Sequence, residues 1–148
     1  MDMSTYELYT DGACLGNPGP GGWGYILRHA DGLEQISTGG EVSTTNNRME
    51  LLAVLEALEG LPRSSRVTIY SDSEYVLKGL NEWMPNWKIK GWKKSNGKPV
   101  LNLDLWIRLE TQSQRHQLTT HWVKGHAGHP ENERVDRLAN AEAQKYIT

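Results

Sequence analysis

The chain has 148 residues, the ordinary size of one domain, and its 37% hydrophobic and 23% charged content excludes extended disorder. No apolar run approaches the roughly 20 residues of a membrane-spanning helix, and the polar Met1–Thr10 stretch does not read as a signal peptide. The formal charge of −2 conceals an asymmetry: Trp83 to Leu103 holds five lysines (Lys88, Lys90, Lys93, Lys94, Lys98) and no acid, so that window carries +5 and the remainder −7. A basic segment on an acidic body suggests a local site for a polyanion, although a solvated lysine-rich loop has the same composition. The single cysteine, Cys14, excludes an internal disulfide framework and suits a reducing compartment, which points to a cytoplasmic protein.

Tyr6–Thr10 reads as a short strand, followed by a Gly- and Pro-dense loop over Gly12–Gly22. Trp23–His29 and Leu33–Gly40 read as two further strands about an Asp31-Gly32 hairpin, giving an antiparallel meander. Thr44 or Thr45 can cap a helix to about Leu58, whose apolar face is Leu51, Val54, Leu55 and Leu58; Gly60 and Pro62 end it. Arg66–Ser71 is a fourth strand, and a short helix runs from about Ser73 to Asn81. Pro85 interrupts the next stretch, a Trp/Lys-rich excursion over Trp83–Val100. Asn102 can cap another helix with Leu105, Trp106 and Leu109 on one face; Leu118–Val123 is a fifth strand, and Pro130 opens a final helix to about Lys145. This order predicts a single α/β domain over residues 1–148, with helices packed on a five-stranded sheet.

Four acids stand out by position. Asp11 and Asp72 end strands one and four, where open α/β sheets place ligands. Glu50 has Ala53, Val54 and Ala57 as its helical neighbours, so it points to the packed side, where an unpaired carboxylate is costly. Asp136 lies one to two turns into the last helix. If strands one and four are adjacent, these acids converge, and a divalent cation would relieve their repulsion; an all-carboxylate set favours Mg²⁺ or Mn²⁺ over zinc. Taken singly, Asp11 also fits a turn, Asp72 a helix cap and Asp136 a surface position.

The stretches around these acids resemble the type 1 ribonuclease H family, in its bacterial stand-alone form. Thr10-Asp11-Gly12-Ala13-Cys14-Leu15-Gly16-Asn17-Pro18-Gly19-Pro20-Gly21-Gly22 is similar to its opening motif, and Thr44-Thr45-Asn46-Asn47-Arg48-Met49-Glu50-Leu51 to its second. Ser71-Asp72-Ser73 with Tyr75-Val76 resembles the third, and Trp122 to His129 with Glu131 to Asp136 the last. Four long motifs in order are far more specific than any one alone. The resemblance implies a ribonuclease H-like fold: a five-stranded mixed sheet, three antiparallel strands then two parallel, with helices on both sides and a basic helical protrusion. It implies an endonuclease that hydrolyses the RNA strand of RNA–DNA hybrids, leaving 5′-phosphate and 3′-hydroxyl ends, with two Mg²⁺ ions or Mn²⁺ in their place. Asp11 would bridge both ions, Asp136 would help hold the ion that activates water, and Glu50 and Asp72 the ion facing the leaving oxygen. His126 would act from a loop as a proton shuttle or an aid to product release.

Hybrid contacts are implied for Asn17, Asn46 and Asn47 at the ribose or base edges, and for Thr45 and Asn102 at a DNA-strand phosphate. Trp83, Trp87 and Trp92 with Lys88, Lys93 and Lys94 resemble the basic protrusion; the plain alternative is a Trp-pinned surface subdomain. Two positions depart from the pattern: Glu74 where glutamine is frequent, and Ser43 where a basic residue is frequent. The Gly-rich loop lacks the lysine of a nucleotide-binding P-loop and the spacing of a dinucleotide fold, and His121, His126 and His129 lack the partners of a zinc set. A DNA-directed relative of the same nuclease class and an inactive hybrid-binding module are the competing functions. The absence of a heptad or long exposed apolar strand favours a monomer.

Overall fold

The computed structural model describes residues 3–147, so Met1 and Asp2 of the polar leading stretch lie outside the described residues. The meander forms with longer strands than its turn residues suggest: β1 (Ser4–Cys14), β2 (Gly19–His29) and β3 (Glu34–Thr44), antiparallel in succession. The expected Gly12–Gly22 loop shrinks to residues 15–18. Gly12, Ala13 and Cys14 stay in the ladder opposite Trp23, Gly22 and Gly21, and Leu15 N–H donates to Pro20 O at 2.7 Å. Glycine in a strand marks a place where another element approaches closely, and here two helices do so, one on each face.

Thr45 caps helix α1 (Asn46–Glu59), its hydroxyl accepting from Arg48 N–H at 3.3 Å. The apolar stripe read from the sequence is buried in full: Leu51, Val54, Leu55 and Leu58 have no exposed surface. Each such side chain contributes about 2 kcal/mol through the hydrophobic effect. Strand β4 (Ser65–Ser71) runs parallel to β1 with Tyr9 opposite Tyr70, and β5 (Gln117–Trp122) parallel to β4, giving the order β3-β2-β1-β4-β5.

The Trp/Lys-rich segment is more helical than expected. Helix α2 (Glu74–Lys78) passes through a π-helical turn (Gly79–Trp83) into α3 (Met84–Ile89). Pro85 does not interrupt the path. It lies in the first turn of α3, where a missing N–H is tolerated, and Met84 N–H reaches back five residues to Gly79 O. Edge-on and tilted rings then pin this excursion to α4 (Leu103–Arg115): Trp83–Trp87 at 5.9 Å, Trp87–Trp106 at 5.3 Å and Tyr75–Trp106 at 5.5 Å between centroids. Asn102 stands at the start of α4 but its side chain does not cap it. Its backbone is left-handed (φ 60°), and its amide instead donates to Tyr75 Oη and accepts from Arg48.

The sheet is covered on both faces. Gly12 packs against Met49 and Glu50 of α1, whereas Gly22, one ladder position away and on the opposite face, packs against Ala139, Glu142 and Ala143 of α5 (Pro130–Lys145). No helix among the described residues is long and apolar enough to cross a membrane. At Gly22 a Cβ would stand 2.4 Å from Ala139 O and 2.5 Å from Ala143 N, both backbone atoms that cannot swing aside. Gly22→Ala therefore lifts α5 from the sheet. The expected cost is about 3 kcal/mol in urea unfolding, as for an overpacked core. Unchanged unfolding would mean that α5 is not seated through this glycine.

Candidate active site

Asp11 and Asp72 stand at the same end of adjacent parallel strands, each two residues beyond the Tyr9–Tyr70 pair. The N-terminal turn of α1 brings Glu50 over Gly12. Carboxylate oxygens of Asp11, Glu50 and Asp72 lie within 4.8 Å of one another. Asp11 and Glu50 are each only 4% exposed. A single backbone donor serves both, Gly12 N–H lying 2.9 Å from Asp11 Oδ1 and 3.1 Å from Glu50 Oε1. The second Glu50 oxygen, Oε2, is buried with no hydrogen-bond partner among the described residues.

Such packing penalises negative charge. Burial, with Asp72 adding repulsion, pushes the Asp11 carboxyl from 3.8 up to about 7. Burial and the charge of Asp11 hold Glu50 well above the carboxylate range, and burial raises Asp72 too, with Asp136 adding to it. Three acids that resist ionising, one with an orphaned oxygen, fit a divalent cation bound through oxygen; the oxygen-only donor set suits Mg²⁺ or Mn²⁺.

Asp136 joins the edge of this cluster from α5, half-buried, its carboxylate facing Asp11 and Asp72. Asn140, one turn later, donates to Asp136 O at 2.9 Å and Oδ1 at 3.3 Å. His126 is exposed on the loop before α5, in the left-handed region (φ 56°), with its ring near Asp72. Gly125 fixes how near this loop comes, since a Cβ there would meet Asp72 Oδ2 at 2.7 Å. Asp72 does not cap α2; that role falls to Ser73, whose hydroxyl accepts from Val76 N–H at 3.2 Å.

The residues expected at the hybrid divide by location. Asn17 Oδ1 accepts from Asn46 N–H at 3.1 Å, tying the first loop to the start of α1, with Thr45 and Asn47 beside it. Asn102 reaches the same neighbourhood through Arg48, which also holds Asp104 at 2.8 Å. Trp83, Trp87 and Trp92 are half-buried anchors, so the aromatic part of the basic segment is a packing device. Lys88 is engaged by Glu110 at 2.7 Å, which offsets its charge. Lys90, Lys93 and Lys94, by contrast, share an exposed trough with Trp83 and Trp87. The sequence reading does not single out Asn140, and it places Gly125 and Trp122 in the last motif without their contacts to Asp72; the Trp122 indole donates to Asp72 O at 3.3 Å. The four-residue spacing of Asn140 from Asp136 was the signal that could have found the first.

The RNase H family model matches residues 3–144. A Ribonuclease H of Paramagnetospirillum magneticum is 62% identical over 135 residues, covering 91% of this chain and 87% of that protein. One of Agrobacterium fabrum is 56% identical over 137 residues, 93% of each. Among solved structures, a type 1 RNase H with the type 2 active-site motif superposes with a TM-score of 0.88 at 32% identity, over 99% of this chain and 75% of that one. An RNase H1 in complex with an RNA/DNA hybrid gives a TM-score of 0.70 at 25% identity, over 97% and 99%.

The raised Asp11 carboxyl makes stability pH-dependent. In the fold it keeps a proton that the unfolded chain has already released, so the metal-free protein loses stability as pH rises from 3.8 towards about 7. Asp11→Asn removes that penalty. At neutral pH without divalent ions the variant is expected to melt on the order of 5 °C higher than wild type, and the difference closes near pH 4. Equal melting temperatures across this range would show that Asp11 carries no such strain.

Proposed function

Since the chain belongs to the ribonuclease H family, we propose that its endonuclease activity, hydrolysis of the RNA strand of RNA–DNA hybrids, is carried by Asp11, Glu50, Asp72 and Asp136. The observation that supports this assignment most is the convergence of three carboxylates within 4.8 Å around an orphaned, buried Glu50 oxygen. Asp11, Glu50 and Asp72 would hold a divalent cation between them, and Asp136, at the edge of the cluster, would help Asp11 hold a second. Two Mg²⁺ ions, held there, would supply compensation for charge on the attacking and leaving oxygens of an in-line displacement at phosphorus.

The protein side chains supply position and proton movement. Gly12 N–H holds Asp11 and Glu50 in register, so the pair is preorganised before substrate arrives. His126, exposed and facing Asp72, is placed to pass a proton to solvent or to the departing 3′-oxygen. Water attack on the phosphorus leaves a 5′-phosphate and a 3′-hydroxyl. Asn17, Asn46 and Asn47 offer amides to the 2′-hydroxyls and base edges that distinguish the RNA strand. Thr45 and Asn102 lie where a DNA-strand phosphate would meet the start of α1, and the trough of Lys90, Lys93 and Lys94 meets the backbone further along. The protein acts as one domain and a monomer, and the lone Cys14 fits a reducing, cytoplasmic setting.

Asp11→Asn is expected to abolish Mg²⁺-dependent cleavage of an RNA–DNA hybrid while hybrid binding survives. Matched RNA–RNA and DNA–DNA duplexes should remain uncut by the wild type. Near-normal turnover by the variant would remove Asp11 from the site, and cleavage of the DNA duplex would point to a DNA-directed enzyme. Because Glu110 already engages Lys88, the basic trough is tested by Lys90→Ala, Lys93→Ala and Lys94→Ala together. Each lost phosphate contact should flatten the log-affinity against log-salt slope by roughly 0.7–0.9, with single-turnover cleavage of bound hybrid little changed. An unaltered slope would reduce these lysines to solvation of a Trp-pinned subdomain.

A further inference from the structure

Helix α5 carries Asn132, Asp136 and Asn140 at successive four-residue steps, so an amide, a carboxylate and an amide share one stripe of the helix. Asn140 is committed to Asp136. Asn132 is not committed. It is 4% exposed, yet among the described residues its Nδ2 has no hydrogen-bond partner. Its carboxamide faces Asp72 without completing a hydrogen bond to it. A buried donor left unmade is costly and is rare in native proteins.

Asp72 shows the complementary deficit. Its backbone is held, with Asp72 O accepting from the Trp122 indole at 3.3 Å, but among the described residues its carboxylate accepts no hydrogen bond from another side chain. Asn132 is therefore the uncommitted donor beside an unsecured acid. Resting on the assignment of these acids as a divalent-cation site, we propose that Asn132 is a positioning residue, its Nδ2–H donating to Asp72 and holding that carboxylate as a ligand. An amide suits the task for a physical reason. A lysine or arginine here would supply the counter-charge itself and compete with the cation, whereas a neutral donor fixes the carboxylate and leaves its charge available. Asn140 performs the same service for Asp136 from the other end of the stripe.

The test uses Asn132→Ala and Asn132→Ser, the second keeping a polar group in the pocket should the first unfold. Each is titrated with Mn²⁺ alone by calorimetry, without nucleic acid, next to the wild type. Since Nδ2 has no partner in the metal-free protein, melting temperature and hybrid affinity should hold. The Mn²⁺ dissociation constant should weaken by about 10-fold or more, as for other residues that orient a metal ligand. The loss in single-turnover rate should be recovered by raising Mg²⁺, which a general structural defect would not allow. Wild-type binding of Mn²⁺ with both variants unchanged would overturn the role of Asn132 alone. A wild-type protein that binds no Mn²⁺ would overturn the cation site and this role with it.

Discussion

Gly12 N–H donates to Asp11 and to Glu50 at once, and the rest of the site is arranged around what that one donor cannot do. A single N–H cannot offset two carboxylates that are almost wholly buried, with a third within 4.8 Å. Mutual repulsion in low dielectric would drive them apart or keep them protonated. The fold prevents the first by fixing each acid to a different rigid element: Asp11 on β1, Glu50 on the opening turn of α1, Asp72 at the end of β4. The raised carboxyls are the residue of that constraint, energy stored in the metal-free protein and released when a cation binds.

The opposite end of the charge distribution is built differently. The basic segment leaves the sheet on a continuous helical path, and an aromatic chain from Tyr75 through Trp106 and Trp87 to Trp83 anchors it to α4. Tryptophan rings bury large area at low entropic cost, so the lysines are presented on a fixed platform. The π turn at Gly79 lets this path bend past Pro85 with its hydrogen bonds intact, and places Gly79 against the Trp106 ring, where no side chain fits. A rigid cationic surface at one side and a rigid anionic cluster at the other can hold a polyanionic duplex so that only one stretch of its backbone meets the acids.

Much of this was legible in the sequence, and for identifiable reasons. The α1 stripe follows helical periodicity, Thr45 is a strong cap residue, and Pro130 marks a helix start, so these elements and their faces are local facts. Of the four acids only Glu50, on an apolar face, is anomalous where it stands; Asp11 and Asp72 at strand ends and Asp136 on the last helix each also fit an ordinary position. The resemblance of the motifs joined them into one site.

What the tertiary structure decided lies wherever a residue's neighbour is distant in sequence. Gly19–Gly22 reads as loop because glycine favours turns, yet it is strand, with Gly21 packed against Thr44 and Met49 on one face and Gly22 against α5 on the other. Asn102 reads as a cap because it precedes a helix, but Arg48 and Tyr75 engage its amide and its backbone turns left-handed. Lys88 reads as a free cation until Glu110, 22 residues on, closes upon it. Composition and periodicity report what a residue prefers by itself and beside its helical or strand neighbours. They carry no term for a partner supplied by a separate element, so the sequence named the candidate residues, and the packing of α1, α4 and α5 on the sheet decided which of them stand together and which are engaged elsewhere.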